Sequence, residues 1–98
     1  MKKKLLKSTR AHKKEILHLA KKYGAKNIRI FGSVARGEEN KNSDIDFLVK
    51  METGRTFLDL VGFWQDVQQT IHHRADVVSE SGLSPYLKTQ ILDEAVKL

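Results

Sequence analysis

The residues that could do chemistry lie between Phe31 and Val49, in the stretch FGSVARGEENKNSDIDFLV. Asp44 and Asp46 alternate there with Ile45 and Phe47. Side chains of a strand alternate faces, so the two carboxylates share a face, roughly 7 Å apart. Such a pair repels itself until a divalent cation sits between its members. Oxygen-only donors suit Mg2+ or Mn2+ and not zinc. Mg2+ takes few protein carboxylates and completes its shell with water and substrate phosphates, so the pair implies a phosphate-bearing substrate. Gly32-Ser33 closes the preceding apolar segment. A glycine at a strand end lets the backbone approach a phosphate closely. If Val34 and Ala35 begin a helical turn, the amides of Ser33 and Val34 point outward at its positive end, with the Ser33 hydroxyl beside them.

A third carboxylate, Asp76, lies in Arg74-Ala75-Asp76-Val77-Val78. An aspartate in an apolar strand is costly unless it is paired or metal-bound. If its strand lies beside that of Asp46, three carboxylates can surround two ions about 4 Å apart, a centre for phosphoryl or nucleotidyl transfer. The competing reading pairs Asp76 with Arg74. Arg36 is either a phosphate contact or a solvated loop residue. The adjacent His72-His73 cannot face one another on a helix or strand and are assigned no metal.

The elements that must position these groups follow from periodicity and punctuation. A helix is expected from about Ser8 to Tyr23, capped by Ser8 or Thr9 and closed by Gly24, with Ile16, Leu19, Ala20 and Tyr23 at helical spacing. Asn27–Phe31 reads as a strand, Gly37–Ser43 as a polar loop, Asp44–Lys50 as a second strand and Glu52–Arg55 as a turn. A second helix follows Thr56 to about Ile71, with Phe57, Leu60, Val61, Trp64, Val67 and Ile71 in one stripe and Leu58 and Phe63 off it. Being apolar on more than one side, it suits an interface. Arg74–Val78 is a third short strand. Ser84-Pro85 opens a last helix that reaches almost to the end. Phe63 and Trp64 are read as core or interface residues rather than base-stacking platforms, and Tyr86 as a packing residue rather than a modification target.

The first two strands are joined by a loop too short for a helical crossover, so they are antiparallel. The third returns after a helix and lies parallel to the second. The expected fold is α+β, a small mixed three-stranded sheet with helices on one face and the other face open. Residues 1–98 read as a single domain.

Composition narrows the setting. There is no cysteine, hence neither disulfide nor thiolate metal site, and no apolar run approaches membrane-spanning length. Charged residues interrupt the start, so it is no signal peptide, and the chain reads as cytoplasmic. Of the 18 Lys and Arg residues, eleven fall in residues 1–30 against one acid, Glu15. That block suits phosphates, RNA or an acidic protein face, or is a solvated helix face.

Gly32-Ser33, ten residues, then Asp44-Ile45-Asp46 resemble the signature of the polymerase-beta-like nucleotidyltransferase superfamily. Arg36-Gly37 and Ser43 before Asp44 narrow the resemblance to its minimal nucleotidyltransferases, and it extends over nearly the whole chain. The resemblance implies that Asp44, Asp46 and Asp76 bind two Mg2+ (or Mn2+) ions and that Gly32 and Ser33, with Arg36, hold ATP. It also implies an antitoxin that transfers AMP to a tyrosine of a HEPN-domain ribonuclease toxin. No second domain is visible to hold an acceptor, so a partner must supply it. The alternative is a binding module, which neutralises its toxin by complex formation alone or grips RNA through the basic N-terminal segment.

Overall fold

A computed structural model describes residues 4–40 and 42–98. The elements run α1 (Lys4–Ala11), α2 (Lys13–Tyr23), β1 (Ala25–Phe31), α3 (Gly32–Arg36), β2 (Ile45–Met51), α4 (Phe57–Ile71), β3 (Ala75–Ser79), a 3-10 turn (Glu80–Gly82), α5 (Pro85–Glu94) and β4 (Val96–Lys97). Among the described residues the sheet has the order β3-β2-β1-β4. β1 runs antiparallel to β2 and β4, and β2 runs parallel to β3.

The core lies between one face of this sheet and α2 and α4. Ile45, Phe47 and Val49 point there from alternate positions of β2, and all are almost wholly buried. They meet Ile16 and Ala20 of α2 and Phe63, Val67 and Ile71 of α4. A left-handed Gly24 ends α2, its N–H bonding Ala20 O. Asp59 accepts a 2.9 Å bond from the Thr56 N–H at the start of α4. Ser84 Oγ accepts from Leu87 N–H at the start of α5, where Pro85 occupies the first turn. No helix among the described residues is long and apolar enough to cross a membrane.

The structure corrects five expectations. The first helix is two, broken at His12, so Ser8 and Thr9 lie inside α1 and cap nothing. Thr9 is instead buried, its hydroxyl donating back to Leu5 O at 2.6 Å. The sheet has a fourth strand, because α5 stops at Glu94 and Val96–Lys97 then pairs with β1. The inward face of α4 carries Phe63, which is fully buried, while Phe57 and Leu58 are 75% and 78% exposed. Of the expected stripe, Val67 and Ile71 are buried and Leu60 packs against the core, whereas Phe57, Val61 and Trp64 line a groove with Val77 and Asp76. Tyr86 is exposed rather than packed.

The second face of the sheet is not fully open either. Arg29 is buried there and pairs with Glu80 of the 3-10 turn. Its Nε also donates to Asn27 O at 2.8 Å. The register of β1 on β2 shifts between Lys26 and Arg29, and Asn27 sits at φ 53° at that bulge. Nothing in the local pattern of Asn27–Phe31 announces a bulge, which depends on the partner strand.

Candidate nucleotide and metal site

Three chain segments converge at one end of the sheet. β1 ends at Phe31, opposite Asp46 of β2. The chain turns at Gly32 into α3, then returns through a polar loop to Asp44. β3 places Asp76 beside Asp46, in register across a parallel pair. Residues paired this way project from the same face, so Asp46 and Asp76 stand side by side.

Gly32 is required where it stands. Its φ is 76°, and a Cβ there would collide with Asp46 Oδ2. The backbone of the turn therefore lies directly against one carboxylate, and only the residue without a side chain permits it. Ser33 Oγ reaches Ser43 Oγ at 3.5 Å. Ser43 Oγ also accepts from Asn40 N–H at 2.9 Å, and Asn42 N–H donates to Asn40 Oδ1 at 2.8 Å. These bonds fold the polar loop onto itself. Arg74 fastens it to β3, donating to Asn42 O at 3.1 Å.

The partner of Arg74 is Asp44, with Nε 3.1 Å from Oδ1, and not Asp76. That corrects the competing reading of Asp76. The guanidinium is near enough to attract Asp44, but its N–H does not point at Asp44 Oδ1, which is buried and accepts no hydrogen bond. A buried carboxylate oxygen without a hydrogen-bond donor is costly; the Arg74 charge offsets part of that cost, and an oxygen-seeking cation would offset more.

The field at this corner is negative. The Asp46 carboxyl is pushed up to about 6, first by burial, then by the charges of Asp76, Asp44 and Glu94, with Arg36 opposing. Burial and like charge both disfavour the ionised form. Asp76 is exposed and Asp44 partly so. Among the described residues no three acidic or histidine side chains are gathered tightly enough to enclose a metal. The donor set nonetheless fits divalent, oxygen-seeking ions: three carboxylates at one strand end, one with an unsatisfied buried oxygen, one resisting ionisation beside the other two.

Arg36 ends α3 with its guanidinium between two acids, Glu38 at 3.1 Å and Glu94 at 2.8 Å. Glu94 also accepts from the Gly32 N–H at 2.9 Å. Sequence reasoning missed Glu94. The one signal would have been the short apolar-basic run after it, Val96-Lys97-Leu98, which brings the chain back to β1. It also missed Arg29, whose burial depends on Glu80 folding back over the sheet.

At the edge of the sheet, beyond Asp76, α4 and β3 enclose an apolar groove lined by Phe57, Leu60, Val61, Trp64 and Val77. The Trp64 indole N–H and the Gln68 side-chain oxygen cover the outward carbonyl and N–H of Ala75. They blunt the first part of an otherwise free strand edge.

The sequence profile of the nucleotidyltransferase domain family matches residues 10–98. A chain of Methanocaldococcus jannaschii named "putative protein adenylyltransferase" is 39% identical over 84 residues, 86% of this chain and 90% of that one. A solved structure described as a "putative minimal nucleotidyltransferase" superposes with a TM-score of 0.86 at 44% identity, covering 95% of both chains. A crystal structure of a toxin–antitoxin with AMP-PNP shares the fold, with a TM-score of 0.72 at 22% identity over 86% of this chain and 69% of that one.

Proposed function

The chain belongs to the nucleotidyltransferase domain family, and from that premise we propose that it transfers AMP from ATP to a tyrosine hydroxyl of a HEPN-type ribonuclease toxin, acting as the antitoxin of the pair. The observation that carries the reading is the packing of Gly32 against Asp46 with Asp76 in register alongside. It puts a backbone turn able to approach phosphates and a set of carboxylates at one point.

In this reading Gly32, Ser33 and Arg36 take the phosphates of ATP, and Asp44, Asp46 and Asp76 hold two Mg2+ ions. Bound there, the ions would neutralise the triphosphate and the developing charge at its α-phosphorus. The acceptor hydroxyl oxygen forms a bond to the α-phosphorus, the bond from that phosphorus to pyrophosphate breaks, and pyrophosphate leaves with the electron pair. The hydroxyl proton passes to a carboxylate of the trio. Gly32 and Ser33 hold the substrate in line, a role of position and charge rather than covalent chemistry. Phe57, which lines the groove with Asp76, and its exposed chain neighbour Leu58 suit the apolar surface of the acceptor protein. The setting is the cytoplasm, where ATP and Mg2+ are available.

The test is incubation with each labelled nucleoside triphosphate, Mg2+ and the toxin, followed by mass spectrometry of the toxin. An AMP adduct on a tyrosine, absent with Asp44→Ala/Asp46→Ala, is the expected result. The second reading is neutralisation by complex formation alone, favoured by the exposed Phe57 and Leu58. It prevails if the double variant still silences the toxin and the wild type transfers no AMP. RNA binding through Lys13, Lys14, Lys21 and Lys22, all exposed on α2, would appear as a steep salt dependence.

A further inference from the structure

A carboxylate outside the aspartate trio sits where a phosphate would be received. Glu94 Oε1 accepts from the Gly32 N–H at 2.9 Å, and Oε2 accepts from the Arg36 guanidinium at 2.8 Å. A carboxylate and a phosphate face present the same thing to these donors: two anionic oxygens. Gly32 and Arg36 are also groups that the proposed function gives to the triphosphate.

The fold builds this placement. In the antiparallel pairing of β1 with β4, Ile30 lies opposite Val96 and Arg29 opposite Lys97. Two residues further along β1 and two back along the partner, the same register brings Glu94 opposite Gly32. The Leu98 N–H donates to Ile28 O and the Leu98 side chain is buried, which fixes the segment after Glu94. Glu94 itself ends α5, and its side chain is 27% exposed.

A purely structural role explains less. Arg36 already has an acid, Glu38, on its other side at 3.1 Å, so it does not need Glu94 for charge balance. Glu94 instead adds a negative charge to a corner that already holds Asp44, Asp46 and Asp76. That placement is unfavourable unless the Gly32 and Arg36 donors repay it, and the group is poised to leave when a better anion arrives.

We propose that Glu94 is an internal competitor for the nucleotide's phosphates: it occupies the Gly32 and Arg36 donors in the free protein and must swing out when the triphosphate binds, which lowers the affinity for ATP. The inference rests on the nucleotide reading of the site. A protein whose binding-competent state is only partly populated binds with an affinity reduced by that fraction. Removing the competitor therefore tightens binding without a new contact.

The experiment is calorimetric titration of the wild type, Glu94→Ala, Glu94→Gln and Glu38→Ala with MgATP, magnesium tripolyphosphate and adenosine. Glu94→Ala is expected to bind ATP and tripolyphosphate about tenfold more tightly, with adenosine unchanged. Glu94→Gln keeps the acceptor for Gly32 but loses the charge facing Arg36, so it should tighten by about threefold. Glu38→Ala, which removes an acid from Arg36 but not from Gly32, should change binding by less than about twofold. If Glu94→Ala unfolds, Glu94→Gln carries the test on the same criterion. The inference is overturned if wild type binds ATP and neither Glu94 variant binds it more tightly, or if adenosine tightens equally. If neither the wild type nor either Glu94 variant binds ATP or tripolyphosphate, the nucleotide reading falls and this inference falls with it.

Discussion

Asp46→Asn should make the protein more stable while abolishing transfer. The Asp46 carboxyl is pushed from 3.8 up to about 6 by burial and by Asp76, Asp44 and Glu94. A rise of that size corresponds to about 3 kcal/mol of preference for the protonated form in the folded state. Asp46 is only half-buried, so water screens part of it, and roughly half, about 1.5 kcal/mol, is the reasonable expectation. The sign follows from the direction. A carboxylate whose folded value lies above its unfolded one penalises the fold wherever it is ionised in both states, that is, above pH 6. The penalty fades as pH falls through 6 and vanishes near 3.8. A neutral asparagine removes it at every pH. For a domain of this size, Asp46→Asn should raise the melting temperature at pH 8 by roughly 6–12 °C. At pH 4 the two proteins should melt within a few degrees of each other. Differential scanning fluorimetry in EDTA at both values reads this directly, and excess Mg2+ at pH 8 should stabilise the wild type more than the variant. If Asp46→Asn melts lower than wild type at pH 8, or the difference is the same at both pH values, Asp46 is not under electrostatic strain. The account of the corner as a site awaiting cations then fails.

Gly32→Ala forces φ 76° on an alanine and drives its Cβ into Asp46 Oδ2. It should lose about 1–2 kcal/mol of stability from the backbone alone, measured by urea denaturation, and ATP binding should fall with it. Glu80→Ala leaves the buried Arg29 guanidinium unpaired. It should cost about 3 kcal/mol in the same assay, well above the loss on cutting an exposed pair such as Lys26–Glu52. Phe57→Ser with Leu58→Ser, at positions 75% and 78% exposed, should leave the melting temperature within a few degrees of wild type. The pair should weaken capture of the proposed toxin partner in a pull-down, and unchanged capture would move the acceptor surface elsewhere.

The site end of the sheet was legible because its signals are local. Gly32-Ser33, the ten-residue spacing and the alternation Asp44-Ile45-Asp46 are all read within one stretch. The antiparallel and parallel strand pairings followed from the lengths of the connections, and the observed registers have both senses. What was not legible depends on contacts between distant segments. Val96 and Lys97 are too few to show a strand period, and their pairing is set by β1. Phe63 and Trp64 are adjacent on α4 and equally apolar. Which one turns inward depends on where α2 sits, and the Tyr23 hydroxyl, bonded to Asp66 at 2.6 Å, helps to set that. A Cβ at Gly62 would crowd the Tyr23 ring, so this glycine permits the close approach of the two helices. The break at His12 has no Gly or Pro to announce it. Helix propensity runs straight through, and the chain turns because α1 packs across to the loop, where Glu39 accepts from the Leu5 N–H at 3.0 Å.

The most direct test of the central claim is to follow the two ends of ATP separately. The protein, Mg2+ and the proposed toxin partner are incubated with ATP labelled at either the α- or the γ-phosphate, and that partner is separated and counted. Transfer of AMP predicts that the α-label enters the toxin, that the γ-label leaves as pyrophosphate, and that Asp44→Ala/Asp46→Ala abolishes both. The γ-label on the toxin would contradict nucleotidyl transfer. So would neutralisation of the toxin with neither label attached.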